Sequence, residues 1–288
     1  MTLGSEVMVN YPAHGLTYCR LWVWAMETTA RHVLDLFCAS VSTERRFEDW
    51  KRDPRRERVA PVVLAHRTRV LYRLTEDDVH DVCQRTEHAL GQVRREVGES
   101  VPQIVDWHPK FAFTHTFHTC VERLGAVPTY QQFREFSLSS AEGLGMLGTP
   151  AKELIRDLVV RHGVEQRRAQ AAMRWRIGNA YYGFLREVYT LVQLRRRGID
   201  LRVHPLADAL FRVDAWTGRR ALSLRVGNRK FRQGSNAGRK TPAELLLADV
   251  VPPLRFDTIE LAAATQFGQV HVPTAQVLDH AADRLNVL

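Results

Sequence analysis

Ala221-Leu222-Ser223-Leu224-Arg225-Val226 is the stretch on which the reading of this chain turns. Successive side chains of a strand point to opposite faces, so Leu222, Leu224 and Val226 form one apolar face and Ser223 and Arg225 share the other. The Thr217-Gly218 turn precedes it, and Ala209 to Ala215, with Asp214 near its end, reads as the strand before that turn. Leu201 to Val203 is a shorter strand-like segment. Upstream, Tyr181 to Arg197 has helical spacing, with Phe184, Val188 and Leu191 on one side. Glu187 lies on that apolar side, where a carboxylate is costly unless it meets a cation or a metal. Three arginines and Gly198 close the helix, cations being favoured near a helix C-terminus.

The same region is strongly basic. Arg161 to Lys240 holds 19 Arg and Lys against 5 Asp and Glu, an excess of 14 (19 − 5), whereas the whole 288-residue chain carries +9. The rest is therefore net acidic, and the positive charge is concentrated. Arginine forks match phosphate oxygens in pairs, so a polyanionic partner is expected. The segment Gly227 to Lys240 leads into a helix start at Thr241-Pro242-Ala243-Glu244. Here Arg229, Lys230, Arg232, Arg239 and Lys240 are placed to grip a phosphate backbone, and Asn228 and Asn236 to reach base edges. Arg174 and Arg176, on a preceding helical segment, belong to the same expected surface.

Outward from this region the chain becomes helical. Apolar spacing predicts helices over residues 17–40 and 59–74, with charged Ser42 to Arg58 as a connection. Thr75-Glu76-Asp77-Asp78 has capping-box spacing and predicts a helix to about Val97. Further helices are predicted from Pro109 to Gly125, from Tyr130 to Phe136, from Thr149-Pro150 to His162 and over Val164 to Ile177. After the basic region come strands over Phe256 to Ala262 and Gln269 to Val272, then a helix from Thr274 to Leu285. The expectation is a helical domain over residues 1–165 and an α/β domain over 166–288. Cys19, Cys38, Cys83 and Cys120 are far apart and form no paired motif, so free thiols are expected. No apolar run approaches a membrane span, and residues 1–20 lack the pattern of a secretory signal, so a cytoplasmic location is expected.

A helix carboxylate, an aspartate at a strand end and a polar-x-cation step on the next strand, in that order, resemble the PD-(D/E)XK, or restriction-endonuclease-like, nuclease superfamily. The resemblance covers about residues 179–272 and rests on motif and element order. It implies an α+β protein in which the helical N-terminal half precedes a restriction-endonuclease-like core, a mixed central sheet flanked by helices. It also implies a DNA endonuclease of a restriction, defence or mobile-element system, using Mg²⁺ or Mn²⁺ held by Glu187 and Asp214. In that family the strand step carries a second acidic ligand and a lysine that orients water. Ser223 stands in the acid's place and Arg225 in the lysine's. Serine is a poor ligand for Mg²⁺, and arginine stays protonated. Lys230 or Lys240 could supply a migrated lysine, and Asp208 or Asp257 a migrated carboxylate. Asp208 shares strand parity with Asp214 if that strand is unbroken. The alternative is a catalytically inactive nuclease-like protein that binds nucleic acid or assembles with it. The expected partner is DNA, RNA being open, and the expected assembly a homodimer or a subunit of a DNA-processing complex.

His115-x-x-His118-x-Cys120, with His108, and the group His80, Cys83 and His88 have spacings that place ligands on one helical face. Neither has the second pair of a structural zinc site. Satisfied core or surface histidines are the simpler reading. No GxxxxGK[ST], GxGxxG or GxSxG motif occurs, which argues against nucleotide-driven motors, dinucleotide enzymes and serine hydrolases.

Overall fold

The computed structural model describes residues 26–226, 242–261, 263–268 and 270–286. In the N-terminal half, β1 (Thr28–Thr29) pairs antiparallel with β2 (Arg67–Thr68). Between them lie α1 (Ala30–Phe37), α2 (Val41–Arg52) and α3 (Val59–Ala65). The charged segment expected to be a connection is thus mostly the helix α2. Ser40 caps it through the Thr43 N–H, and Trp50 buries one face. Thr75 and Asp78 form the expected capping box, Thr75 Oγ1 accepting from the Asp78 N–H at 3.2 Å. The helix it starts, α4 (Glu76–Arg85), stops well short of Val97. Two short helices follow, α5 (Arg95–Gly98) and α6 (Pro102–Val105), then α7 (Phe113–Leu124) and α8 (Tyr130–Ser139). A turn α9 (Ala141–Gly143) runs through a π-helical turn, Leu144–Gly148, into α10 (Thr149–His162). Gly163 ends α10 in the left-handed conformation, φ 63°.

The helical segments predicted on either side of Gly178 are one 31-residue helix, α11 (Gln166–Arg196). Gly178 does not break it. A Cβ there would lie 2.9 Å from the Ala89 carbonyl oxygen, so glycine allows a close approach of neighbouring backbone.

The expected strand from Ala209 is also different. Its first part belongs to α12 (Pro205–Phe211), with His204 as N-cap and Pro205 in the first turn. Ala209, Phe211, Val213 and Ala215 alternate as in a strand. Leu206, Ala207, Leu210 and Phe211 follow the helical period, and they are the residues buried. Asp208 therefore sits on a helix and shares no strand parity with Asp214.

A strand proper begins at β3 (Ala215–Thr217), turns through Gly218 and returns antiparallel as β4 (Arg220–Val226). After the short helix α13 (Ala243–Leu246), β5 (Arg255–Leu261) lies parallel to β4. Arg202 adds a bridge to Trp216 on the far side of β3. A hairpin of β6 (Ala263–Phe267) and β7 (Val270–Pro273) precedes α14 (Ala275–Asn286). The result is an α+β protein with a helix-rich N-terminal half.

The β3–β5 sheet is mixed and covered on both faces. Leu222 and Ile259 join the core built on Tyr181, Leu185 and Val188 of α11. Trp216 and Ala221 join a second core with Phe37 of α1, Leu210 of α12 and Leu246 of α13. A third cluster packs Ile104 and Leu158 against Ala169 and Ala172 at the other end of α11. This long helix therefore touches residues from both halves of the chain. Cys38, Cys83 and Cys120 are free thiols. No helix among the described residues is long and apolar enough to cross a membrane.

Candidate functional site

Beside the sheet, two aspartates act electrostatically on one buried glutamate. Glu187 projects from α11, Asp208 from α12, and Asp214 lies one residue before β3. Phe184, Val188 and Leu191, around Glu187, are buried as its apolar stripe predicts. Loss of water around the Glu187 carboxyl pushes its pKa well above the usual carboxylate range, and the charges of Asp214 and then Asp208 push it further.

Asp214 has a definite geometry. Its N–H donates to the Leu222 carbonyl at 3.0 Å, and its Oδ2 accepts from the Leu224 N–H at 2.6 Å. This carboxylate thus braces the open end of the β3–β4 hairpin, away from its turn, and its charge acts on Glu187. Between Asp208 and Asp214 the chain passes through Arg212, in the left-handed region at φ 61°. Arg212 N–H donates to the Asp208 carbonyl and Val213 N–H to the Ala207 carbonyl, which ends α12 and turns the chain toward Asp214.

On β4, Ser223 is partly buried and Arg225 exposed, both on the face opposite Leu222 and Leu224, as alternation predicts. Their cross-strand neighbours on β5 are Thr258 and Glu260. The charges that raise Glu187 come from the two aspartates. Asp257 lies apart, in an ion pair with Arg284 at 2.6 Å. Arg174 and Arg176 are turned to the protein. Arg174 donates to the Ala89 and His88 carbonyls at 3.2 and 3.3 Å. Arg176 donates to the Trp107 carbonyl at 3.2 Å and lies over the Phe113 ring. Asn228, Arg229, Lys230, Arg232, Asn236, Arg239 and Lys240 lie outside the described residues.

Three carboxylates provide hard oxygen donors of the kind Mg²⁺ or Mn²⁺ prefers, and the raised Glu187 marks negative charge that a cation would relieve. Among the described residues, no three His, Cys, Asp or Glu side chains are gathered closely enough to hold a metal ion. The carboxylates form an electrostatic group rather than a closed coordination sphere.

Against this group stands a cluster of histidines that sequence reasoning assembled only in part. His115 and His118 on α7 meet His66, after α3, and His204, before α12. The His66 ring is 5.3 Å from that of His204 and 5.7 Å from that of His118. Burial holds all four neutral, lowering His66 to about 2, His118 to about 3, and His115 and His204 to about 4. Asp208 and the Pro205 carbonyl pull His115 back upward, although neither ring nitrogen makes a full hydrogen bond. His204 is satisfied: its Nδ1 accepts from the Leu206 N–H at 3.1 Å and its Nε2 reaches the His66 carbonyl at 3.1 Å. His66 and His204 gave no spacing signal. The usable cue was His204-Pro205, an N-cap followed by a first-turn proline.

Comparison with known proteins gives no match to any family model, curated protein or solved structure.

Proposed function

We propose that the protein is a Mg²⁺-dependent DNA endonuclease whose metal is held by Glu187 and Asp214, with Asp208 as the third carboxylate. The observation that carries this reading is that Asp214 and Asp208 act electrostatically on the buried Glu187 beside a mixed β-sheet. A bound divalent ion would supply a more acidic water and neutralise charge on the phosphate. Glu187, with its high proton affinity, is the group that must lose its proton for the ion to bind. Arg225, exposed and permanently charged, is suited to hold a phosphate oxygen but not to take a proton. The net charge of +9 favours a nucleic acid over other substrates. Cytoplasmic action and a dimeric or multi-subunit assembly belong to the same proposal.

A second reading, a nuclease-like protein that binds DNA without cutting it, is favoured by Ser223 and by the bond between Asp214 and the Leu224 N–H. Plasmid nicking in Mg²⁺ tests the choice. Wild-type protein should nick, and Asp214→Ala and Glu187→Gln should lose at least about a hundredfold in rate. Equal nicking by all three would refute the metal site. DNA binding without nicking by any of them would establish the second reading.

A further inference from the structure

On another part of the molecule, α3 and β2 on one side and α7 and the π-helical turn on the other enclose an open groove of about 680 Å³. That volume lies in the range of small-molecule sites, roughly 300–1,000 Å³. None of the carboxylates around Glu187 lines it. Phe111 and Met146 form a buried apolar floor. Arg58, Arg67, Arg69 and Arg123 stand at the exposed rim.

The charges around the groove are unequally neutralised. Arg67 and Arg69 share Glu27, at 3.1 and 3.4 Å. Arg123 pairs with Glu142 across the groove, from α7 to α9. Glu122 turns its carboxylate to the backbone, accepting from the Arg69 and Val70 N–H groups at 2.8 and 2.9 Å. Arg58 forms no ion pair with any described residue. Four guanidinium groups thus meet three carboxylates, Glu27, Glu122 and Glu142, and Glu122 is committed to backbone amides.

One further feature points to a ligand. The wall facing His66 is the π turn, a rare backbone form that recurs at functional sites. Its Gly145 leaves room: a Cβ built there meets no atom within 4 Å. The flanking Gly143 and Gly148 instead press on the backbone of Phe136 and Ser137.

We infer that this groove binds a small phosphorylated ligand carrying a flat aromatic ring, a nucleotide, at a site separate from Glu187, Asp208 and Asp214. The ring would lie on Phe111 and Met146, and the phosphate would meet Arg58 and its neighbours at the rim.

The test is a fluorescence titration of the full chain with N-methylanthraniloyl-ADP. Wild-type protein should bind it saturably below about 1 mM. Gly145→Leu, which fills the groove from a position with open space, should weaken binding by at least about tenfold with thermal stability retained. Arg58→Glu, at an exposed rim position, should do the same and serves if Gly145→Leu does not fold. Inorganic phosphate should compete weakly, since it lacks the ring. Asp214→Ala should bind as wild type, whatever becomes of the proposed nuclease activity. Absence of saturable binding, unchanged binding by Arg58→Glu and Gly145→Leu, or loss of binding in Asp214→Ala would each overturn the proposal.

Discussion

Lowering the pH from 6 should unfold this protein steeply, because three buried histidines and the half-buried His66 are held as neutral rings. In the unfolded chain a histidine takes up a proton near pH 6.5. In the fold, His115 and His204 resist it until about 4, His118 until about 3 and His66 until about 2. Below pH 6.5 the unfolded state therefore binds more protons, and stability falls as pH falls. Between about pH 5.5 and 4.5 each histidine contributes up to about 1.4 kcal/mol per pH unit. Glu187, raised above its unfolded value, acts in the opposite sense and reduces the slope. Asp208 and Arg56 act on His115 from other elements, and His32 acts on His204. The net slope is on the order of 4 kcal/mol per pH unit. A stability of about 5 kcal/mol, at the low end for domains, would then be exhausted in little more than one unit. Urea unfolding followed by circular dichroism at pH 7.5, 6.5, 5.5 and 4.5 measures the slope. His118→Leu should lower it by about one histidine's share. A wild-type slope no steeper than about 1.4 kcal/mol per pH unit would refute the reasoning, since one ordinary histidine accounts for that.

Glu187→Gln removes a carboxylate that burial and two aspartates disfavour. It should raise the thermal midpoint in metal-free buffer while abolishing any stabilisation by added Mg²⁺; a lower midpoint would show that Glu187 is held by a favourable partner. Gly143→Ala would drive a Cβ into the Phe136 carbonyl oxygen and should cost about 2 kcal/mol in urea unfolding, whereas Gly145→Ala, facing open space, should be neutral or slightly stabilising.

Several helix caps were legible because they depend on chemistry within a few residues. Thr75 with Asp78, Thr129 at the start of α8 and Gly163 at the end of α10 all act locally. Misreadings arose where distant packing decided. Gly178 reads as a breaker until Ala89 is seen against it, and α12 alternates like a strand until the burial of Leu206 and Leu210 shows its period. Glu187 and Asp214 stood out as a carboxylate on an apolar stripe and an aspartate beside a turn. Asp208 was noted for the wrong reason. The histidine cluster needed the fold, because His66 and His204 come together from positions 138 residues apart.

The length of α11 has a mechanical meaning. At about 1.5 Å per residue, Glu187 stands about 27 Å along the shaft from Ala169. Arg168, Arg174 and Arg176 fasten the first half of that shaft to Ser100, Ala89 and Trp107. A tilt of about 5° at the far end would swing Glu187 by about 2 Å, roughly one metal–oxygen bond length. In the proposed nuclease these arginines would act as bearings at one end of the shaft, with the core packing of Phe184, Val188 and Leu191 seating the other.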